Sequence, residues 1–530
     1  MLNTSRSRRG MVTAPHRLAS QAGLQILREG GNAIESAVAT AAALAVVYPH
    51  MNSIGGDGFW LIAEPGQKPI AIDASGRAAA AATPALYREH GLSAVPWRGP
   101  LAANTVAGTL SGWDAALEIA RHWGGRLPLS RLLAEAIDYA QDGVVVTDGM
   151  AELVAAKWDE LSAVPAASVC GLFGAEPPRP GSVLRQPQLA ATLQRLAEAG
   201  PLDVYRGGLA EDIAVDLAAL GSPLTRQDLR SHAASLVAPL RVAIKGAELF
   251  NLPPPTQGLA SLMILALFDR LGVTAGDGFD HIHGLVEATK QAFLVRDRHV
   301  GDPALMEVDA QTLLDDTAGL DALAARIDPR RALPWPQPPS AGDTVWFGVI
   351  DGEGRAVSMI QSTYFEFGAG MVLPLTGIVW QNRGASFRIA DDGWNALKPG
   401  RKPFHTLNPA MARLSDGRQM VYGTMGGEGQ PQTQAAIFTR YAQFGQDLQA
   451  AVTAPRWLLG RTWGEDSTSL KLEDRFDPVL VAQLRAAGHE VELVAPFTST
   501  MGHAGALVRH ADGTLEGAAD PRSDGAVAAW

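Results

Sequence analysis

A proline-rich segment that leads directly into a pair of β-strands constrains this chain more than any other feature. Residues 327–343 contain five prolines in seventeen positions, and proline fits neither a helix interior nor a central strand. The β-rich run 344–350 follows at once, residues 351–354 predict a turn, and residues 356–364 predict a returning strand. The pattern alone indicates an extended segment before a hairpin, and a domain linker is one interpretation of that segment.

Composition limits the classes of protein to which the chain can belong. Its 530 residues allow several domains or one large layered fold. Hydrophobic residues make up 47% and charged residues 19%, which favours a large core over a disordered chain. The net charge of −11 argues against a nucleic-acid partner. A single cysteine, Cys170, excludes an intramolecular disulfide and any metal site with two or four cysteines.

The N-terminal region predicts neither export nor membrane insertion. The first ten residues are basic, but no apolar stretch follows them directly, as a secretory signal would require. The longest apolar run, residues 37–49, is shorter than the roughly 20 residues of a membrane span. We therefore expect a cytoplasmic protein without a membrane partner.

Helical signals dominate much of the first 300 residues. Residues 17–31 predict a helix that ends at two glycines. Asn32 and Glu35 predict a capping box, and the Ala-rich helix behind them is apolar on nearly all sides, so it should be buried. A Gly-rich loop over 52–58 then precedes a short strand at 59–62.

Several familiar catalytic patterns are absent or weak. No serine has glycine at both −2 and +2, which argues against an α/β-hydrolase, and Cys170 has the surroundings of a buried structural thiol. His281, His283 and Glu287 resemble metal ligands, but only 283 and 287 share a helix face, so a structural role is favoured. The glycines of 423–429 follow a strand and precede a helix, and their amides fit either an oxyanion hole or a tight turn.

Thr344 suits one particular chemistry. A hydroxyl is a weak nucleophile that needs a base. If the chain is cut just before Thr344, the new α-amine, with a pKa of about 8, lies within reach of that hydroxyl. An exposed proline-rich loop upstream and a rigid strand downstream are what such a site requires.

Segments distributed in order across the chain together resemble the γ-glutamyltranspeptidase family of N-terminal-nucleophile hydrolases. Each segment alone would be weak, but the ordered set is specific. The matching segments are residues 30–33, 48–59, 252–258, 343–364, 403–409, 426–427, 454–456 and 520–523.

The resemblance implies an α+β fold, a four-layer αββα sandwich, and self-cleavage between Asp343 and Thr344. A large chain (1–343) and a small chain (344–530) would form one αββα unit. The resemblance makes Thr344 the nucleophile, and Ser362 a second hydroxyl that hydrogen-bonds it. Gly426 and Gly427 would hold the oxyanion. This chemistry requires no cofactor and no metal.

The sequence departs from the family where the substrate would bind. Ser75 replaces the arginine for the glutamate α-carboxylate, and Ser386 replaces the acid for the α-amine. His405 and Thr406 replace a pair of serines, and Tyr364 replaces an asparagine. With these partners changed, an ammonium group finds no obvious partner in the sequence.

The remaining residues fit a small anionic amide without an amine. Arg383 offers a bidentate fork for a carboxylate, with His405 and Thr406 as further donors, although a solvated surface arginine is the alternative. The segments are similar to the branch of the family that hydrolyses oxamate to oxalate and ammonia in bacterial purine breakdown. A γ-glutamyltranspeptidase or glutathione hydrolase, and an uncut, non-catalytic binding module, remain the alternatives. The sequence leaves open whether the chain forms a homo-oligomer.

Overall fold

In the computed structural model of the chain, residues 3–335, 343–460 and 467–530 are described, Asp343 by its backbone alone. Residues 336–342 of the proline-rich segment 327–343 therefore lie outside the described residues.

Two seven-stranded sheets form the centre of the molecule. The strands of sheet 1 are, in spatial order, β19 (Ala526–Ala529), β2 (Gly10–Ala14), β10 (Asp343–Asp351), β11 (Ala356–Tyr364), β3 (Asp57–Ala63), β4 (Ile70–Ala74) and β7 (Ser235–Val237). The strands of sheet 2 are β1 (Ser5–Ser7), β18 (Leu515–Ala519), β17 (Ala504–Arg509), β13 (Gln419–Thr424), β12 (Ala410–Leu414), β9 (Ala247–Asn251) and β8 (Leu240–Ile244).

Smaller sheets lie outside this pair. One consists of β14 (Trp457–Leu459), β15 (Leu470–Glu473) and β16 (Val491–Val494), and the other of β5 (Val144–Val145) and β6 (Val183–Leu184).

Most helices fall into two groups along the chain. The first group comprises α1 (Arg17–Arg28), α2 (Ala33–Val47), α3 (Pro84–Glu89), α4 (Thr109–His122), α5 (Leu129–Leu132), α6 (Ala134–Asp142), α7 (Asp148–Ser162), α8 (Pro187–Ala199), α9 (Asp203–Arg206), α10 (Gly208–Leu220) and α11 (Arg226–Arg230). The second comprises α12 (Gly258–Arg270), α13 (Phe279–His299), α14 (Ala310–Asp315), α15 (Thr317–Ala324), α16 (Gly429–Phe438), α17 (Leu448–Thr453) and α18 (Pro478–Ala486). Among the helices described, none is both long enough and apolar enough to cross a membrane.

The predicted four-layer αββα sandwich is confirmed. Helices α1, α2 and α4 pack on the outer face of sheet 1, and α12 and α16 pack on that of sheet 2. Between the sheets lies an apolar core that includes Phe59 and Trp346 from sheet 1 and Met411 and Leu507 from sheet 2. Sheet packing of this kind buries one face of every central strand.

Strands from both sides of residue 343 share each sheet. In sheet 1, β10 and β11 lie between β2 and β3, which come from the first 63 residues. In sheet 2, β9 pairs with β12. The segments 1–343 and 344–530 therefore cannot separate without breaking both sheets, so the proline-rich segment is not a linker between two independent domains.

Local signals in the sequence are confirmed around α1 and α2. Glu29 caps α1, and Gly30 follows with φ +88°, a conformation that glycine adopts readily. The Asn32 side chain accepts from the Glu35 amide, and the Glu35 carboxylate accepts from the Asn32 amide. Every residue of α2 is buried, as its apolar composition predicts.

The hairpin predicted after residue 343 is formed by β10 and β11. Both strands are antiparallel, and the register shifts between Asp343 and Val345. On its other side β11 pairs with β3, where Ser362 lies opposite Asp57. A bulge at this position re-aims a side chain, and the shifted residue is Thr344.

A substitution at Gly56 tests how tightly the loop before β3 packs against β11. A Cβ atom there would overlap the carbonyl oxygen of Ser362, and backbone cannot move aside as a flexible side chain can. We expect Gly56→Ala to lower the free energy of unfolding by about 3 kcal/mol, measured by urea denaturation. Gly171→Ala is the control, because a Cβ there meets nothing within 4 Å. Equal stability of both variants would contradict this packing.

Candidate functional site

Thr344 lies buried at the start of β10, beside a second hydroxyl. Its Oγ1 donates to the Oγ of Ser362 at 3.3 Å. The Ser362 Oγ also accepts from the Tyr364 amide at 2.8 Å, which fixes its orientation. The two hydroxyls that the sequence paired are therefore in contact.

Gln430 is a third partner of Thr344, which sequence reasoning missed. Its Nε2 donates to the Thr344 Oγ1 at 3.4 Å, and its Oε1 accepts from the Asn408 amide at 3.2 Å. An amide N–H directed at this oxygen favours negative charge on it. Gln430 lies in the first turn of α16, which begins at Gly429.

Gly426 and Gly427 form the turn between β13 and α16. Their φ angles, +117° and +51°, lie where side chains are rarely tolerated. Gln257 holds the turn in place, because its Nε2 donates to the carbonyls of Gly427 and Thr406 at 2.8 and 2.6 Å. The turn directly precedes Gln430, which donates to Thr344, so it adjoins Thr344.

A buried ion pair supports this turn from behind. The Arg296 guanidinium donates to Glu428 Oε1 at 2.7 Å and to Gln257 Oε1 at 3.0 Å. All three side chains are buried, so the pair is shielded from water. We find no signal in the sequence that would have singled out Arg296.

Arg383 is buried, so its interpretation as a solvated surface arginine is wrong. Only 1% of the residue is exposed, and its guanidinium carbon lies 3.8 Å from the centre of the Tyr364 ring. Among the described residues, none hydrogen-bonds any of its three guanidinium nitrogens. Burial lowers the pKa of Arg383 to about 10, which nearby Tyr364 and Asp57 oppose.

His405 and Thr406 are further buried residues with polar side chains. Within the described ranges, neither ring nitrogen of His405 nor the Thr406 hydroxyl has a hydrogen-bond partner. Burial and the charges of Arg383 and Lys402 hold the pKa of His405 well below its ordinary value. The ring is therefore neutral at physiological pH.

Asp57 is the main site residue that sequence reasoning missed. Its Oδ1 accepts from the amides of Gly76 and Gly108 at 2.9 and 3.0 Å, and its Oδ2 faces His405 Nε2 at 3.4 Å. Burial raises the pKa of Asp57 to about 7, against the charge of Arg383 and the two amide hydrogen bonds. The signal in the sequence that could have identified it is an acid inside the Gly-rich stretch 55–58, at the start of a fully buried strand.

Tyr364 adopts a strained backbone conformation, with φ +84°. Such a residue costs of order 1–3 kcal/mol and tends to occur at functional sites. Here the strain places the ring under Arg383 and against Phe365, 4.5 Å away between ring centres. Tyr364 thus connects the Ser362 hydroxyl to the buried guanidinium of Arg383.

The two serines that replace family ligands do not join this cluster. Ser75 donates to Asp73 Oδ1 at 2.6 Å, and Lys402 forms an ion pair with Asp73 Oδ2 at the same distance. Ser386 donates to the Phe404 carbonyl at 3.3 Å.

Three further polar side chains that the sequence left unassigned have structural partners. Arg98 donates to the carbonyls of Glu366 and Gly368, and its guanidinium lies 3.8 Å from the Glu366 carboxylate. The half-exposed Arg77 donates to the Gly400 carbonyl. These contacts fix loops around the site.

A separate histidine cluster is the one group that could hold a metal among the described residues. One ligand atom each from His283, Glu287 and His489 lies within 4.8 Å of the others. However, the two rings hydrogen-bond each other at 2.9 Å, and the Lys290 ammonium donates to Glu287 at 2.7 Å. A cation would have to displace that ammonium, so the arrangement fits the structural role that the sequence favoured.

The stability of the protein should depend on pH through Asp57. Its pKa is raised from 3.8 to about 7, so its stabilising contribution is complete below about pH 4 and is lost as the pH rises through 7. Relative to Asp57→Asn, we expect the wild type to lose roughly 4 kcal/mol of unfolding free energy between about pH 4 and 8. Urea denaturation of both proteins across this range measures the difference, in which other titrating groups largely cancel. A difference in unfolding free energy between the two proteins that stays constant with pH would contradict the raised pKa of Asp57.

Comparisons with known proteins agree with this geometry. The sequence profile described as Gamma-glutamyltranspeptidase matches residues 19–530. The chain is 56% identical to the oxamate amidohydrolase proenzyme of Klebsiella pneumoniae, over all of both chains. It is 40% identical to a glutathione hydrolase-like proenzyme of Bacillus subtilis, over 98% of each chain. The crystal structure of a cephalosporin acylase from Bacillus halodurans superposes with a TM-score of 0.92 at 34% identity, covering 100% of this chain and 97% of that one. The chain therefore belongs to the gamma-glutamyltranspeptidase family of N-terminal-nucleophile hydrolases.

Proposed function

We propose that the chain cuts itself between Asp343 and Thr344 and then hydrolyses the amide bond of a small carboxylate-bearing substrate. Oxamate, hydrolysed to oxalate and ammonia, is the substrate that fits best. The 343-residue and 187-residue chains would remain together, because each sheet contains strands from both. We also expect the enzyme to act in the cytoplasm.

The buried guanidinium of Arg383 carries this proposal. A desolvated charge without hydrogen bonds is costly, and a planar carboxylate would satisfy it through two parallel hydrogen bonds. His405 and Thr406 add donors beside it. Oxamate carries a carboxylate directly next to its amide carbon, so binding at Arg383 would present that carbon to the nearby nucleophile.

The first half of the reaction would form an acyl-enzyme. The free α-amine of Thr344 takes the proton as Oγ1 bonds to the amide carbon, and the C=O electron pair moves onto the oxygen. The amides of Gly426 and Gly427 would hold that oxyanion. When the tetrahedral intermediate collapses, the C–N bond breaks and the α-ammonium returns its proton to the nitrogen, which leaves as ammonia.

Water would complete the turnover. The α-amine takes a proton from the water as its oxygen bonds to the ester carbon of acyl-Thr344. Collapse then breaks the ester C–O bond, the proton passes to Thr344 Oγ1, and oxalate leaves. Ser362 and Gln430 would orient Oγ1 through both steps by their hydrogen bonds to it.

Relatives support this proposal and also supply the alternative. The Klebsiella relative is named as an oxamate amidohydrolase proenzyme and the Bacillus relative as glutathione hydrolase-like. Asp57 offers an acid that could meet the α-ammonium of a γ-glutamyl group, so a glutathione hydrolase remains the second candidate. Turnover of a γ-glutamyl anilide faster than oxamate would favour it.

Intact-mass spectrometry of the purified protein detects self-cleavage. We expect wild-type protein to give two fragments, the smaller beginning at Thr344, whereas Thr344→Ala should stay a single species near 55.9 kDa without amidase activity. Thr289→Ala is the control, because that buried hydroxyl donates only to the Leu285 carbonyl on its own helix. A Thr344→Ala protein that is cut, or that hydrolyses oxamate at the wild-type rate, would refute Thr344 as the nucleophile.

Arg383 can be tested by its effect on substrates with a carboxylate. Losing a charge-assisted bidentate contact should lower kcat/KM for oxamate by about 100-fold or more in Arg383→Gln. Its melting temperature should not fall, since the substitution removes a buried charge. Arg388→Gln, five residues along at an exposed position, should keep wild-type kinetics. Unchanged kcat/KM in Arg383→Gln would exclude this carboxylate site.

A further inference from the structure

Asp57 occupies a defined place relative to the nucleophile. Thr344, Ser362 and Asp57 lie on three adjacent strands, β10, β11 and β3, and Ser362 pairs directly with Asp57. The Thr344–Ser362 hydrogen bond shows that these two hydroxyls share a face of sheet 1. Residues paired across a ladder point to the same face, so Asp57 lies on it too.

The strand pairing also sets the length of the row formed by Thr344, Ser362 and Asp57. Neighbouring strands lie about 4.8 Å apart, so two steps separate the backbones of Thr344 and Asp57 by about 10 Å. All three side chains stand on the same face of the sheet, with Ser362 in the middle, so an acyl group that extends from Thr344 along the row toward Asp57 must be short. The Arg383 guanidinium stacks on the ring of Tyr364, whose backbone amide donates to the Oγ of Ser362 in the middle of the row.

The Asp57 carboxyl cannot easily move out of this space. Two backbone amides hold its Oδ1, and both belong to glycines, Gly76 and Gly108. A Cβ at Gly76 would overlap the Val106 carbonyl, and one at Gly108 would lie 3.2 Å from Asp57 Oδ1 itself. The Gly76 and Gly108 amides therefore fix the Asp57 carboxyl in place, and its Oδ2 faces His405.

We propose that Asp57 is the end wall of the acyl pocket and limits its substrates to very short amides. The inference rests on the proposed function, since it concerns the acyl group of the same site. A longer ω-carboxy amide would have to push its carboxylate past Arg383 into the space that the Asp57 carboxyl already fills. Asp57 is thus a specificity-determining residue and takes no part in bond making.

A series of amides measures the length of the pocket. The substrates are oxamate, malonamate, succinamate and glutaramate, which differ by one methylene each. In the wild type we expect kcat/KM to fall by roughly 10–200-fold per added methylene. In Asp57→Gly and Asp57→Ser, the ratio of kcat/KM for succinamate to that for oxamate should rise at least about tenfold.

Asp57→Asn separates size from charge, because it has the same shape and keeps an oxygen for the two amides. We expect it to retain the wild-type order of chain lengths. Asp216→Asn is the control for loss of a buried carboxylate elsewhere: Asp216 accepts from the Leu375 amide at 2.8 Å and should leave the order unchanged. Melting temperatures and fragment masses identify any variant that fails to fold or to be cut.

The outcomes decide the two claims separately. If the wild type hydrolyses oxamate but Asp57→Gly and Asp57→Ser keep its order of kcat/KM with chain length, the Asp57 inference alone is overturned. An Asn variant that shifts as far as the Gly variant would show that charge, and not length, sets the limit, and would also overturn it. If the wild type hydrolyses none of the amides, the proposed function fails.

The binding of diacids tests the role of Asp57 without requiring catalysis. Oxalate, malonate, succinate and glutarate serve as probes, and the rise in melting temperature measures their binding. We expect oxalate to stabilise the wild type most, and the longer diacids to gain most in Asp57→Ser. The same order in both proteins would overturn the inference.

Discussion

The pairing of β10 with β11, and of β11 with β3, is the constraint on which the site depends. These three strands lie in the middle of sheet 1, with core on both faces, so their register cannot slip without moving apolar side chains into the wrong layer. The ladder places Thr344, Ser362 and Asp57 in a row, and the shift between Asp343 and Val345 directs the Thr344 hydroxyl toward Ser362. The Thr344 hydroxyl is thus held in the middle of a buried sheet, which would suit a reaction that needs close positioning.

The polar groups around this row are organised for a ligand at some cost to stability. Arg383, His405 and Thr406 are buried with donor atoms that no described residue satisfies, and Tyr364 holds a left-handed backbone. Such groups destabilise a fold unless something else compensates. Here the large apolar layers on each side provide that compensation. Local violations of otherwise consistent packing are expected where a protein functions.

Charge is divided across the site in a way that fits a small anion. The guanidinium of Arg383 faces a space bordered by a neutral histidine and by a carboxyl whose pKa lies near 7. The carboxylate of Asp73, farther along the same sheet, is already neutralised by Lys402. Under the proposed function, Arg383 would bind the substrate carboxylate, and Asp57 would limit how far the acyl group extends.

The sequence by itself determined the family, the four-layer fold, the hairpin at residue 344 and the local caps such as Asn32 with Glu35. These depend on short-range patterns and on segments that stay recognisable in order along the chain. It also named Thr344, Ser362, Arg383, His405 and Thr406. Only the tertiary structure decided that Arg383 is buried rather than solvated, because burial depends on what packs over it from distant parts of the chain. The same holds for Asp57, Gln430 and Arg296: their roles come from partners that lie from 19 to more than 300 residues away. No local pattern encodes such contacts, since they exist only once both sheets have formed.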